Sequence, residues 1–441
     1  MKNLETLIKK RKASVAVIGL GYVGLPHAVE IAKAGFSVIG IDLDEKKVKN
    51  LNSGKSFIED VDDNDLLKVL KNNKFRAYTD SALLKSADVV LISVPTPLDQ
   101  YKIPDVSYIK SAVLEIKKTF HKGELIILES TTYPGTTEEI ILPSLQENGF
   151  EVGKDFHLAF APERIDPGSS THISEIPKVV GGITKKCTNL ADLFYKQFIS
   201  ETHKVSSPKA AEMTKLLENA YRLVNISTVN ELSLLCDRMG IDIWEIIDAA
   251  STKPYGFQAF YPSPKVGGHC IPLDPFYLSW KAKQYNFWAK FIDLAGEINE
   301  QMPHFVVTKV YFALNKISKS IRGSKILILG AAFKKNVSDA RDSAFLDVVP
   351  DLLRKGALVD YYDPFVEEIE VATTPLPGGE KVRLKSVKLY NSNLNTYDCA
   401  LILTDHTGID YETIAKKVKV VVDTRNAIKS RKFKNVYRIG G

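Results

Sequence analysis

The segment Val15–Gly24 reads VAVIGLGYVG, an apolar run that enters glycines at Gly19, Gly21 and Gly24. A strand that turns at once into a helix needs this spacing. Gly19 permits the tight turn, Gly21 lets the backbone approach a pyrophosphate, and Gly24 lets the helix pack close to the strand. The N–H groups at the helix start then face phosphates. The next strand ends IGID, which places Asp42 about 20 residues on. An acid there accepts hydrogen bonds from a ribose 2′-hydroxyl and repels a 2′-phosphate. The pattern predicts a dinucleotide fold that takes NAD in preference to NADP. FAD uses the same fingerprint, and the glycines alone also suit a plain tight turn.

Around this motif, short apolar strands alternate with helical stretches. Strands are expected at Ser14–Gly19, Ser37–Asp42, Asp88–Val94, Leu125–Glu129, His157–Phe160 and Lys178–Gly181. Near-continuous Val/Ile/Leu strands of this kind indicate a parallel sheet covered on both faces. From about Pro208 to Met239 the chain has neither Pro nor Gly after its first residue and keeps a helical apolar period. About 30 residues make a rod of roughly 45 Å. Helix is expected again over Ile243–Ala250 and about Leu278–Asn315, with a Pro/Gly-rich loop, KPYGFQAFYPSPKVGGHCIPLDP, between them. The last third returns to strands at Lys325–Gly330, Ala357–Tyr362, Cys399–Thr404 and Lys419–Asp423. The fold class is therefore α/β, with two Rossmann-like doubly wound domains joined by a long central helix. The expected division is 1–206, 207–318 and 319–441.

Composition limits the function classes. Of 441 residues, 44% are apolar and 25% charged, ordinary for a soluble globular protein. No apolar run reaches the ~18 residues of a membrane span. The N-terminus lacks the apolar core of a secretory signal and reads as a short leading helix. The net charge of +6 is spread along the chain, which speaks against a nucleic-acid tract. The four cysteines, Cys187, Cys236, Cys270 and Cys399, show no metal-ligand spacing. No metal is expected, and reduced thiols in the cytoplasm fit best.

Cys270 lies in VGGHCIPLDP, a setting that can hold a thiol exposed and fixed, whereas Cys399 sits inside an apolar strand. A thiolate is a nucleophile once nearby cations or donors lower its pKa. Asp274 can order a water or take a proton, or simply cap a helix starting near Pro275. Lys215 and Asn219 share a helix face and can donate to an oxyanion, unless that face is merely solvated. ESTTYPGTT (Glu129–Thr137) and APERIDPG (Ala161–Gly168) each follow a strand, where ligands meet open parallel sheets. Glu163 in the second segment can be a general base or orient a water, and turn chemistry is the plainer reading.

Together GLGYVG, SVPTP (Ser93–Pro97), STTYPGTT, APERIDPG, the KLLEN helix, GGHCIPLDP and GAAFKKNVSDARDS (Gly330–Ser343) resemble the UDP-glucose/UDP-N-acetylhexosamine dehydrogenase family over nearly the whole chain. Within it, APER followed by DPG, and KPYGFQAFYP before the cysteine, are most like the UDP-N-acetylglucosamine 6-dehydrogenase branch. Two departures stand out. No Arg lies between Arg238 and Cys270, where the UDP-glucose enzymes have one, and Pro262–Lys265 reads PSPK where the branch has a glycine-rich PGPG.

The resemblance implies a homodimer or higher homo-oligomer that acts on a UDP-sugar. It implies NAD on Gly19, Gly21, Tyr22, Val23, Gly24, Asp42, Pro95, Thr96, Thr132 and Arg341. It implies substrate contacts from Glu163, Arg164, Lys215, Asn219, Tyr261 and Gly267, with the UDP near Lys334 and Arg425 in the interdomain cleft. In the implied reaction the C6 alcohol becomes a carboxylate through a Cys270 thiohemiacetal and thioester, using two NAD and one water. Glu163, Thr132 and Asp274 hold the water, and Lys215 and Asn219 stabilise oxyanions. Competing readings are other UDP-sugars, a one-step hydroxyacid dehydrogenase, and an NAD-binding protein without catalysis.

Overall fold

The computed structural model describes residues 3–58, 61–99, 101–147, 149–166, 171–373, 380–390 and 392–441. The chain divides into two compact units, Met1–Glu218 with Phe276–Trp288, and Asn219–Pro275 with Ala289–Gly441.

In the first unit the strands are β1 (Ser14–Ile18), β2 (Ser37–Ile41), β3 (Phe75–Tyr78), β4 (Val89–Ile92), β5 (Leu125–Leu128), β6 (His157–Phe160), β7 (Lys178–Gly182) and β8 (Thr202–Lys204). They form one sheet in the order β3-β2-β1-β4-β5-β6-β7-β8. All neighbours are parallel except β6 and β7. Successive side chains of a strand point to opposite faces. Val15 and Val17 accordingly enter one apolar cluster and Ala16 and Ile18 another. Both faces are covered, so Leu125–Leu128 is buried at every residue, each such side chain contributing about 1.5–3 kcal/mol. The strand order reverses between β1 and β4, the place where open parallel sheets bind ligands at their carboxyl ends.

In the second unit the strands are β9 (Lys325–Leu329), β10 (Leu358–Tyr362), β11 (Glu368–Ala372), β12 (Lys381–Lys385), β13 (Cys399–Ile402), β14 (Val420–Asp423) and β15 (Val436–Arg438). Five of them form a parallel sheet, β10-β9-β13-β14-β15, while β11 and β12 make a separate antiparallel pair. Ile326 and Ile328 pack on one face, with Met302, Val306, Val310 and Leu314 of the helix Lys290–Asn315. Leu327 and Leu329 pack on the other face with Ile414 of the helix Tyr411–Lys417.

The expected α/β class holds, with a parallel sheet in each unit. The long helix runs from Pro208 to Met239 over 32 residues, up to Glu218 in the first unit and from Asn219 in the second. The stretch expected as one helix over 278–315 is two, Asp274–Lys283 and Lys290–Asn315. The break falls at Asn286, whose φ of 53° is left-handed, a conformation Asn tolerates and a continuing helix does not.

Candidate active site

The carboxyl ends of β1, β2, β4 and β5 gather the residues expected to bind the dinucleotide, apart from Arg341, which belongs to the second unit. Gly19 has φ 90°, and its N–H donates to Ile41 O at 2.8 Å. A Cβ on Gly24 would lie 1.8 Å from Gly19 O, so only glycine allows the helix Gly24–Lys33 to start there. A Cβ on Gly21 would meet nothing within 4 Å, leaving the turn open to a ligand on that side. Tyr22 is exposed and Val23 half-buried beside it. Asp42 is half-exposed at the end of β2, and its carboxylate accepts Leu20 N–H and Asp44 N–H at 3.0 Å each. Pro95 and Thr96 follow β4, and the Thr96 hydroxyl donates to Thr131 O at 2.6 Å. Thr132 is buried after β5, with its hydroxyl 2.8 Å from that of Thr136. A pyrophosphate-approachable turn with a solvent-reachable acid beside it fits NAD.

The helical run Thr137–Ile141 also begins at this edge, and Glu212 of the long helix sits on its start. The buried Glu212 carboxylate accepts Gly135 N–H at 2.5 Å, Thr137 N–H at 3.0 Å and the Thr137 hydroxyl at 2.7 Å. Burial pushes its pKa up, and those three bonds only partly offset the shift.

Glu163 follows β6 and belongs to a buried charged cluster that sequence reasoning did not find. Its Oε1 accepts Arg164 N–H and Ile165 N–H at 2.7 Å each. Its Oε2 lies 2.6 Å from His27 Nε2 and 2.8 Å from Lys178 Nζ. His27 Nδ1 is 2.8 Å from Glu129 Oε2, which also accepts the Ser93 hydroxyl at 2.8 Å, while Tyr195 OH donates to Glu129 Oε1 at 2.7 Å. Burial opposes charge on His27, yet the Glu129 and Glu163 carboxylates outweigh it and Lys178, raising its pKa to about 9. Burial likewise opposes the charge on Glu129, but His27 and Lys178 bring it down to about 2. Against the same burial, Lys178 and His27 hold Glu163 well below the ordinary carboxylate range. Sequence signals did exist: a lysine opens the fully buried strand β7, and His27 interrupts the apolar run of GLPHAVEIA.

Arg164 pairs with Glu218 of the long helix through NH2 at 2.7 Å and Nε at 3.2 Å, and its NH1 donates to Pro177 O at 2.8 Å. Lys215 is buried one turn before Glu218. Pro167 and Gly168, the end of APERIDPG, lie outside the described residues.

In the second unit the cysteine loop runs into the helix that starts at Asp274, and Asp274 N–H donates to Cys270 O at 2.8 Å. Asn219 Nδ2 donates to Asp274 Oδ2. Asp274 thus joins the long helix through its carboxylate and the cysteine loop through its backbone. Gly268 has φ 89° and donates to Arg341 O at 3.3 Å, and a Cβ on Gly267 would lie 2.5 Å from Asp342 O. The two glycines let the loop lie flat against the segment that carries Arg341, whose guanidinium pairs with Asp339 at 2.7 Å. Lys265, the last residue of PSPK, reaches Asp342 at 2.8 Å and Asp347 at 2.7 Å and fastens the same contact. Ser263 donates its N–H to Asn230 Oδ1 at 2.8 Å. Burial, then Arg341, lowers the pKa of His269, so a neutral imidazole adjoins Cys270. Cys187, Cys236 and Cys399 are buried and Cys270 is partly exposed. Burial pushes the Cys399 thiol up to about 12, the wrong direction for a nucleophile.

Tyr261 stacks on Trp244 with ring centroids 5.7 Å apart, and its hydroxyl donates to Asp248 at 3.3 Å. Lys334 follows β9 and Arg425 follows β14, at the carboxyl end of the second sheet, with Arg425 Nε donating to Asp405 at 3.2 Å. At the end of β10, where β2 has Asp42, the second unit has Asp363. That carboxylate is buried, accepts Ala331 and Ala332 N–H at 2.6 and 3.0 Å, and lies 2.9 Å from His406 Nε2. It is spent inside the fold. Ala332 and Lys335 stand where the first turn has Gly21 and Gly24, so the second sheet repeats the topology without the dinucleotide chemistry. Among the described residues, no three His, Cys, Asp or Glu are grouped to hold a metal ion, and no helix is long and apolar enough to cross a membrane.

Sequence models of the UDP-glucose/GDP-mannose dehydrogenase family match in chain order: the NAD binding domain over residues 13–199, the central domain over 209–301 and the UDP binding domain over 327–430. A UDP-N-acetyl-D-glucosamine 6-dehydrogenase of Pseudomonas aeruginosa is 38% identical over 355 residues, 80% of this chain and 83% of its own. A UDP-N-acetyl-D-mannosamine dehydrogenase of Methanococcus maripaludis is 35% identical over 433 residues, 95% of this chain and 94% of its own. The solved structure of a UDP-D-ManNAc dehydrogenase from Pyrococcus horikoshii superimposes with a TM-score of 0.86 at 32% identity, covering 97% of this chain and 99% of that one. The chain belongs to the UDP-glucose/GDP-mannose dehydrogenase family and is an NAD-dependent nucleotide-sugar dehydrogenase.

Proposed function

We propose that the chain oxidises C6 of a UDP-N-acetylhexosamine, UDP-N-acetylglucosamine, from the primary alcohol to the carboxylate. The observation that carries this reading is Asp274 in the second unit, bonded through its backbone to Cys270 and through its carboxylate to the Asn219 amide. A partly exposed cysteine four residues before a carboxylate that an amide holds suits acyl chemistry on sulfur.

NAD would be held by Gly19, Gly21, Tyr22, Val23, Gly24, Asp42, Pro95, Thr96, Thr132 and Arg341 and, when bound, would supply the hydride acceptor for each of two oxidations. The first turns the alcohol into an aldehyde. The Cys270 thiolate adds to the aldehyde carbon, and the new C–S bond keeps that reactive group bound. Loss of the second hydride leaves a thioester. Water then adds, the C–S bond breaks, and the sulfur leaves with the product acid ionised. In sum, one alcohol, two NAD and one water give one carboxylate, two NADH and three protons. Lys215 and Asn219 donate to the oxyanions of the addition steps. Thr132, Asp274 and Glu163 serve the water. Glu163, Arg164, Lys215, Asn219, Tyr261 and Gly267 contact the sugar nucleotide, with Lys334 and Arg425 on the UDP. The corresponding division is an NAD-binding part over 1–206, a central helical part over 207–318 and a UDP-sugar part over 319–441. The enzyme works in the cytoplasm as a homodimer or higher homo-oligomer.

A second reading takes UDP-N-acetylmannosamine as substrate. It is favoured by the M. maripaludis relative, which matches 95% of this chain where the P. aeruginosa relative matches 80%. Incubating the purified chain with NAD and each UDP-sugar decides between them. The true substrate yields two NADH per sugar and a product about 14 Da heavier, the change from CH2OH to COOH. Turnover of neither N-acetyl sugar overturns both readings.

A further inference from the structure

The Glu163 carboxylate is already saturated. Arg164 and Ile165 N–H donate to one oxygen, while His27 and Lys178 approach the other at 2.6 and 2.8 Å. Two acceptor sites per oxygen are the whole capacity of a carboxylate. A proton arriving on Glu163 must expel one of these four donors, one of them the Lys178 ammonium.

The donors are themselves fixed from behind. Glu129 holds the far nitrogen of His27 at 2.8 Å, lies 3.4 Å from Lys178, and is in turn held by the hydroxyls of Ser93 and Tyr195. His27, Glu129 and Lys178 are each at least 96% buried, so water competes for few of these bonds. With His27 protonated, two cations face two carboxylates. Removing one member leaves an uncompensated buried charge, which is strongly unfavourable. The same four-donor hold fixes the turn 163–165. Arg164 carries that turn on to Glu218, one helical turn from Lys215.

We infer that His27 and Lys178 are positioning residues for the hydrolysis step, holding Glu163 as a fixed carboxylate that acts by charge and placement and takes no proton from the attacking water. The water's protons go to the departing Cys270 sulfur and, as the product acid ionises, to solvent. This inference rests on the thioester reading above, and it gives two buried residues outside the sequence motifs a part in the chemistry.

The test uses full-length wild type, His27→Gln, Lys178→Met, Glu163→Gln and the double variant His27→Gln/Glu163→Gln. Each is mixed with NAD and the UDP-sugar that wild type turns over, quenched at intervals, and read for NADH and for the intact mass of the chain. Each single variant is expected to release its first-turnover NADH normally and then keep the sugar nucleotide covalently attached. Its hydrolysis should be slowed roughly 10- to 100-fold. The double variant should be no slower than Glu163→Gln, because residues acting as a unit are not additive. The inference is overturned if His27→Gln and Lys178→Met clear the adduct at the wild-type rate while Glu163→Gln stalls. It is overturned equally if the effects multiply.

NAD affinity, to which the glycine turn and Asp42 of the same unit contribute, reports whether a variant has folded. Should a variant lose it, the pH dependence of wild-type hydrolysis decides. The groups facing His27 are Glu129 after β5, Glu163 after β6 and Lys178 of β7. Hydrolysis should fall above about pH 9 as His27 gives up its proton, and a rate that holds or rises there overturns the inference. A wild type that gives neither two NADH nor any Cys270-dependent adduct refutes the thioester reading itself, a different result from any of these.

Discussion

Asn219 donates its side-chain amide to the Asp274 carboxylate at 2.5 Å, a bond between residues 55 positions apart. The same Asp274 is bonded through its backbone N–H to the Cys270 carbonyl, so one amide holds the acid at the end of the cysteine loop. Asn219→Ala should lower kcat by about 100-fold, the usual cost of losing one oxyanion donor. NAD affinity should stay within about twofold, since the dinucleotide turn belongs to the other unit. Steady-state kinetics with parallel NAD titration checks this, and an equal loss of NAD binding would refute it.

Cys270→Ser should form no carboxylate from any UDP-sugar, because an ester-like adduct is the furthest an oxygen in that place can go. Iodoacetamide should label Cys270 ahead of Cys399, whose buried thiol is pushed up to about 12. Peptide mass mapping against residual activity reads both. Full carboxylate production by the serine variant would end the nucleophile assignment.

The glycines of the first turn should separate by function. Gly24→Ala places a Cβ 1.8 Å from Gly19 O and should lower the melting temperature by several degrees along with NAD affinity. Gly21→Ala meets nothing within 4 Å and should melt like wild type, yet bind NAD weakly where the pyrophosphate must come close. Thermal melts with and without NAD distinguish them.

Asp42→Ala should weaken NAD by roughly 10- to 100-fold, the worth of one or two hydrogen bonds to a charged acceptor. It should also narrow the preference over NADP, because the charge that repels a 2′-phosphate is gone. Titrating both cofactors measures the ratio, and an unchanged ratio contradicts the assignment.

The buried cluster predicts the shape of the stability curve. His27 is raised from 6.5 to about 9, so its contribution is complete below about pH 6.5 and is lost as pH rises through about 9. Glu129 is lowered from 4.5 to about 2, so its contribution is complete above about pH 4.5 and is lost as pH falls through about 2. Melting temperature should therefore be highest from about pH 4.5 to 6.5 as far as this cluster decides it. The alkaline decline near pH 9 should flatten in His27→Gln.

Elements that bury both faces were legible in the sequence, because a run such as LIIL or KILIL has few other stable uses. The long helix was equally plain, its apolar period uninterrupted from Pro208 to Met239. What escaped were elements with weak or mixed patterns. FRAY of β3 and the charged alternation of Glu368–Ala372 with Lys381–Lys385 look like surface until a partner strand supplies their hydrogen bonds. The site divides in the same way. Glycines and the Cys270 loop are local signals, visible in a window of ten residues. The hold on Glu163 is not local: His27 comes from a helix, Glu129 from the turn after β5 and Lys178 from β7, and only the sheet order brings their charges together.

Glu212 closes one of the two helix starts at the dinucleotide edge. Two helical segments begin at that edge, and both offer backbone amides of the kind that attract anions. At the one following β5, the chain supplies its own stand-in for a phosphate, a carboxylate seated on Gly135 and Thr137. Those amides are therefore committed inside the fold, and Glu212→Ala would strand the Gly135 and Thr137 N–H groups without an acceptor, a loss felt in stability before it is felt in binding.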